Sequence, residues 1–112
     1  MVTVAAARQL ALSLPETEEK SHFETPDFRV KNKIFATIKA GKQLMMVKLS
    51  AVDQSVFCSF DKTVIYPVPG GWGRQGATYI ELKKVKKAML QDALTTAWKQ
   101  VAPKKMVAKY FD

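Results

Sequence analysis

The chain predicts a two-layer α+β fold: an antiparallel sheet of about five strands with helices on one face, in the order helix, three strands, helix, two strands, helix. Three observations lead there. Residues 4–14 and 83–101 repeat apolar side chains at helical spacing. The β-branched and aromatic runs between them are short and joined by tight turn segments, which suits antiparallel pairing. The 112 residues, 47% of them apolar, are enough for one hydrophobic core, and the chain reads as a single domain over 1–112.

In the first helix Thr3 is placed as the N-cap and Pro15 closes the run, with Ala7, Leu10, Ala11 and Leu14 toward the core. The acidic stretch Glu16 to Lys20 reads as a solvated loop. Strands follow at Phe28–Val30, Ile34–Ile38 and Leu44–Leu49. They are joined by Lys31-Asn32-Lys33 and Ala40-Gly41-Lys42, turns that tolerate a left-handed residue. If Ile34, Ala36 and Ile38 face the helices, the two-residue period puts Lys33, Phe35, Thr37 and Lys39 on the other face. Met46, Arg29 and Lys48 join them there. Ser50 and Asp53 resemble a capping box opening a short helix to Phe60, with Val52, Val56 and Phe60 inward. Asp61-Lys62 turns the chain into a strand over 63–68, and a final strand covers Ala77–Leu82. The last helix carries Leu90, Leu94, Trp98 and Val101 on one stripe, and Pro103 ends it.

The net charge of +8 is unevenly placed. Residues 1–27 balance at −3, whereas Phe28 onward balances at +11. Such a surface attracts polyanions, nucleic acid foremost; lysine that merely keeps a small protein soluble gives the same composition. The sole cysteine, Cys58, excludes an intrachain disulfide and suits a cytoplasmic location. It sits beside Phe57 and Phe60 as a small buried hydrophobe. The sole histidine, His22, reads as a turn or surface residue. Neither a zinc ligand set nor an oriented nucleophile–base pair is formed by these residues, so no cofactor, metal or catalytic residue is expected. No apolar run has the length of a membrane span, and the first residues lack a signal peptide's pattern.

Four of the five glycines lie in Pro69-Gly70-Gly71-Trp72-Gly73-Arg74-Gln75-Gly76. The last six match G-x-G-x-x-G letter for letter. A dinucleotide-binding loop, however, opens a helix inside a parallel βαβ unit, and this one leads into a strand. Gly73 or Gly76 is expected at positive φ, and Trp72 to fold back, partly buried, over its own loop.

Several segments in order carry a family likeness: Leu12-Ser13-Leu14-Pro15-Glu16-Thr17-Glu18-Glu19, Phe28 through Ala36, Val47-Lys48-Leu49-Ser50, Gly71 through Ile80, and Ala97-Trp98 with Val101 to Lys105. With these the chain resembles the MmcQ/YjbR-like family of small bacterial proteins over nearly its whole length. Asn32 stands where that family's turn usually carries Gly. The resemblance implies a secretion-chaperone-like α+β fold and DNA binding through a double-wing arrangement of hairpins. It transfers no catalytic residue.

The function expected is therefore non-enzymatic binding of nucleic acid, DNA in particular, through phosphate contacts. The candidate contacts are Arg29, Lys31, Lys33, Lys48, Arg74, and Lys84 and Lys87 from the Lys83-to-Lys87 cluster that crowds the start of the last helix. Trp72 and Gly73 would shape one wing. The alternative is a protein-interaction module, acting on a protein partner or as a homodimer through the open sheet face. A small-ligand pocket between the glycine stretch and the last helix is the third reading.

Overall fold

The computed structural model describes residues 1–22 and 25–111. Phe23, Glu24, Asp112 and the His22 side chain lie outside the described residues, and with them the reading of His22. Helix α1 (Val4–Leu12) leads into strands β1 (Thr17–His22), β2 (Thr25–Val30), β3 (Lys33–Lys39) and β4 (Leu44–Lys48). Helix α2 (Ala51–Cys58), strand β5 (Ile65–Pro67), a single helical turn α3 (Gly71–Arg74) and strand β6 (Ala77–Glu81) follow. Helices α4 (Lys87–Val101) and α5 (Lys104–Phe111) complete the order. All strand pairs are antiparallel, in the sheet order β1-β2-β3-β4-β6-β5.

The α+β architecture expected from the sequence is present, with six strands rather than five. The additional strand is β1, which the sequence presents as a solvated acidic loop. Its charged side chains suit an edge strand, where one side of the ladder faces water and charge discourages further pairing. Helix α5 is the other unexpected element: Pro103 ends α4, but its carbonyl then accepts hydrogen bonds from the Met106 and Val107 amides at the start of a new helix.

Thr3 caps α1 as expected, its hydroxyl accepting from the Ala6 amide at 3.0 Å, and Ser50 does the same for α2 through the Asp53 amide at 3.1 Å. Ala7 and Ala11 of α1 and Leu90, Ala93, Leu94, Ala97 and Trp98 of α4 are buried on the inner sheet face, with Phe28, Val30, Ala36, Ile38, Met45, Val47 and Ile80. Trp98 donates from its indole to the Pro15 carbonyl at 2.9 Å, and Tyr110 and Phe111 of α5 pack edge-on against it.

Three packing expectations are corrected. Phe35 belongs to the core, because Phe28 pairs with Ala36 and Arg29 with Ile34, leaving Phe35 as the extra residue of a β-bulge. A bulge resets the alternation, so Phe35 turns inward and Ile34 outward. In α2 the apolar stripe is exposed: Val52, Val56 and Phe60 keep 73%, 52% and 66% of their surface. Gln54 sets this orientation, its amide donating toward the Gly73 carbonyl (2.9 Å), the Ala77 carbonyl (3.2 Å) and the Thr78 hydroxyl (3.0 Å). Phe57 and Cys58 turn toward the core instead; Cys58 is half-buried, and burial pushes its thiol pKa up. The last helix begins at Lys87, so Lys83 and Lys84 precede it and Lys86 is its N-cap.

The glycine stretch forms one helical turn, then Gly76 at φ +103° leads into β6. A Cβ at Gly76 would stand 2.0 Å from the Leu49 carbonyl oxygen, and one at Gly73 would stand 1.9 Å from that of Val68. Both positions are closed to any side chain. Gly76→Ala and Gly73→Ala are each expected to destabilise the fold by at least about 2 kcal/mol in urea unfolding. Gly41→Ala, with open space around it, should stay within about 0.5 kcal/mol of the parent.

Candidate nucleic-acid interface

The end of the sheet where β2 turns into β3 holds the largest share of the expected site. Arg29, Lys33 and Lys48 line one cleft of about 490 Å³ together with Asn32, Ile34, Leu49, Gln75, Gln100 and Val101. This cleft lies between the end of the glycine stretch and the C-terminal end of α4, where the sequence suggested a ligand pocket. Lys31 and Asn32 both take positive φ in the turn, +50° and +63°, which lets the hairpin reverse in two residues and presents Lys33 at its exit. Asn32 is of a residue type that readily tolerates a left-handed backbone.

The cations here are not equivalent. Arg29 grips Asp27 with Nε at 2.8 Å and a terminal nitrogen at 3.2 Å, and its other terminal nitrogen donates to Asn32 at 3.3 Å. The Asp27 carboxylate, nearly fully buried, raises the Arg29 pKa further, and the pair adds no net charge to the cleft. Lys31 reaches Glu16 at 3.7 Å on the surface. Glu16 also accepts from the Tyr110 hydroxyl at 2.8 Å, which chiefly holds its carboxyl below the usual range, helped by Lys31 and Lys109. Lys33 and Lys48 are exposed and take part in no ion pair among the described residues. In this cleft they are the two cations open to an incoming anion among the described residues.

The second depression lies on the sheet face opposite the helices. Thr37, Met46, Tyr79 and Tyr66 stand in one cross-strand row over β3, β4, β6 and β5. Thr37, Met46 and Tyr79, with Lys39, Val68, Ala77 and Trp72, line a hollow of about 210 Å³. Trp72 is 71% exposed, which corrects the expectation that it folds back over its loop. The helical turn Gly71–Arg74, in the connection between the paired strands β5 and β6, presents its indole to solvent. Lys39 donates to the Tyr79 hydroxyl at 2.8 Å and lies 5.2 Å from the ring centre, a cation–π arrangement. The cleft and the hollow meet at Lys48 and Ala77, which are register partners on neighbouring strands.

Gly73 is buried and serves the close approach to Val68, while Arg74, next to Trp72, is exposed. Lys84 and Lys87 are not part of this surface. Lys84 lines a groove with Phe60, Ile65 and Met89 at the far end of β6, on the helix side of the sheet, and Lys87 opens α4 beside it. Sequence reasoning placed Lys39 on this face without naming it as a contact, and missed Tyr79, whose i, i+2 phase with Ala77 was the available signal.

An antiparallel six-stranded sheet with helices packed on it defines a small α+β domain, built without the parallel βαβ unit of a dinucleotide-binding fold. Residues 12–100 match the YjbR family model, and the chain belongs to the YjbR family. The crystal structure of the Deinococcus radiodurans protein DR2400, a DUF419 domain, shares the fold at TM-score 0.79 and 19% identity, covering 97% of this chain and 88% of that one. No curated protein matches the sequence. Among the described residues, no helix is long and apolar enough to cross a membrane.

The hollow's rim contains one perturbed group. The Tyr66 hydroxyl donates to the Glu81 carboxylate, and this bond above all, with burial and the Glu81 charge, pushes the Tyr66 pKa up to about 12 from 10.0. A raised phenol pKa stabilises the fold below pH 10 and loses that contribution as pH climbs through the folded-state value. In an ultraviolet tyrosinate titration of the folded protein, Tyr66 should ionise near 12, and Glu81→Gln should return it toward 10.0.

Proposed function

We propose that this protein binds nucleic acid without acting on it, on the sheet face and cleft joined at Lys48. The observation that carries this reading is the juxtaposition of an exposed, unpacked indole with unpaired cations on a continuous surface. Trp72 and Tyr79 offer ring faces to bases, and base–aromatic stacking contributes roughly 1–3 kcal/mol per base. Lys33, Lys48 and Lys39 offer charge to the phosphates on either side. From the Lys39–Leu44 pair to Lys48 the open face of β4 advances four residues, about 13 Å, so a strand laid along it meets a cation at each end and Tyr79 between, with Lys33 in the cleft beyond. A flexible single strand can follow this route; a rigid duplex reaches only the cleft and its lysines. DNA is the expected form, with single-stranded segments favoured by the stacking surface.

Arg29 contributes less charge than its position suggests, because Asp27 occupies it, and its role is to hold Asn32 and the hairpin. Lys31 and Arg74 add surface charge at the margins.

Fluorescently labelled single-stranded and duplex oligonucleotides should bind at low salt, and on duplex the log–log salt slope should approach −0.9 per phosphate neutralised. Lys33→Glu with Lys48→Glu should weaken binding to every sequence and flatten the slope. Trp72→Ala should leave stability within about 0.5 kcal/mol, since the ring is exposed, and should weaken single-strand binding more than duplex binding. No complex at low salt with folded protein in excess would end the proposal, and a salt-independent one would indicate a protein partner instead.

A further inference from the structure

Helix α2 is built with its apolar stripe on the wrong side for the core of this chain. Val52, Val56 and Phe60 recur every four residues and all three are exposed, whereas Gln54 is turned inward and fixed by three acceptors. The stripe continues into a groove of about 310 Å³ between the end of α2 and the start of α4, lined by Phe60, Val64 and Met89 with Lys84 and Lys86 on its rim. An apolar strip that a fixed hydrogen-bond network holds in water is a docking surface when a partner's chemistry fits it.

We infer that this strip and groove receive an acidic amphipathic helix of another protein, its apolar face on Val52, Val56 and Phe60 and its carboxylates against Lys84 and Lys86. Charge identifies the occupant. The first turn of α4 holds no acid, Lys86 is its N-cap and Lys87 its first residue, so the helix dipole and the lysines favour negative charge at the same place. Asp61, the acid of the groove, stays ionised, its carboxyl held below the usual range by the Thr63 hydroxyl and amide and by the Lys84 charge, and the two rim lysines outnumber it. A second copy of this chain is a poor occupant, because a two-fold contact would set the same lysines against themselves. The spacing of the three apolar residues matches the i, i+4 rows that helices present to one another.

The test uses two labelled probe peptides of equal length with leucine and phenylalanine at helical spacing, one with glutamate and one with lysine at the remaining positions. The glutamate probe should bind the full chain, more weakly as salt rises, and the lysine probe should not. Val56→Ser with Phe60→Ser, both exposed positions that leave the fold intact, should lower affinity tenfold or more. Lys84→Glu with Lys86→Glu should do the same. Nitrogen–proton shift changes should map to α2 and the start of α4 and leave Thr37 and Tyr79 unmoved. Equal binding of both probes, no binding of the glutamate probe at millimolar concentration, or indifference to the α2 substitutions overturns the inference. So does salt-promoted self-association that Phe60→Ser abolishes, or binding to phosphatidylserine vesicles in place of the probe. Oligonucleotide titrations of the α2 variant should match the parent, which separates this surface from the nucleic-acid one.

Discussion

One side-chain amide organises this molecule. Gln54 reaches from α2 to the Gly73 carbonyl, the Ala77 carbonyl and the Thr78 hydroxyl, and the Thr78 hydroxyl in turn donates to the Gly76 carbonyl at 3.0 Å. That carbonyl also accepts from the Leu49 amide at 3.0 Å. Four segments are thereby tied at one point: the end of β4, helix α2, the glycine turn and the start of β6. The bonds are shielded, so each is worth more than an exposed one, and leaving a member unsatisfied would cost the desolvation of its group. Close backbone approach makes the knot possible. Only glycine leaves room at Gly73 and Gly76 for the Val68 and Leu49 carbonyls.

Both surfaces of interest are consequences of that knot. On one side it holds the Gly71–Arg74 turn rigidly enough that Trp72 stands clear of the chain beside Met46 and Tyr79. On the other it fixes the rotation of α2 about its axis, and the apolar stripe has no freedom to roll inward. A helix of eight residues is too short to be stable by its own propensity and takes its orientation from whatever tertiary contact is strongest. Here a polar contact outweighs an apolar face.

The helices that read well in the sequence are those whose stripe is long and whose partner is the sheet: α1, with its Thr3 cap, and α4, with Leu90, Leu94 and Trp98. The meander β2-β3-β4 and the final strand were legible because turn residues bracket apolar runs. The misses have separate causes. Thr17–His22 is charged because edge strands are, so its composition resembles a loop. The Phe35 bulge depends on how β2 pairs, which no local pattern records. The outward rotation of α2 depends on Gln54 finding acceptors nineteen to twenty-four residues away in the chain. Helix α5 was signalled by Pro103 followed by Met106, Val107, Tyr110 and Phe111 at helical spacing, and a proline that ends one helix can begin the next. Of the candidate site, the charges at Lys33 and Lys48 were visible, whereas their separation from Lys84 and Lys87 is set by which end of β6 each one reaches.

The indole of Trp98 gives the chain a particular order of assembly. Its hydrogen bond to Pro15 spans 83 residues, and the Tyr110–Glu16 bond beside it spans 94. Contacts this distant close large loops and are slow to form. As the chain leaves the ribosome, the meander can pair early, but the first helix stays without its partner until α4 has emerged, and the tryptophan stays open to water until α5 covers it. Helix α5, made well after α1, thus completes the core that α1 begins.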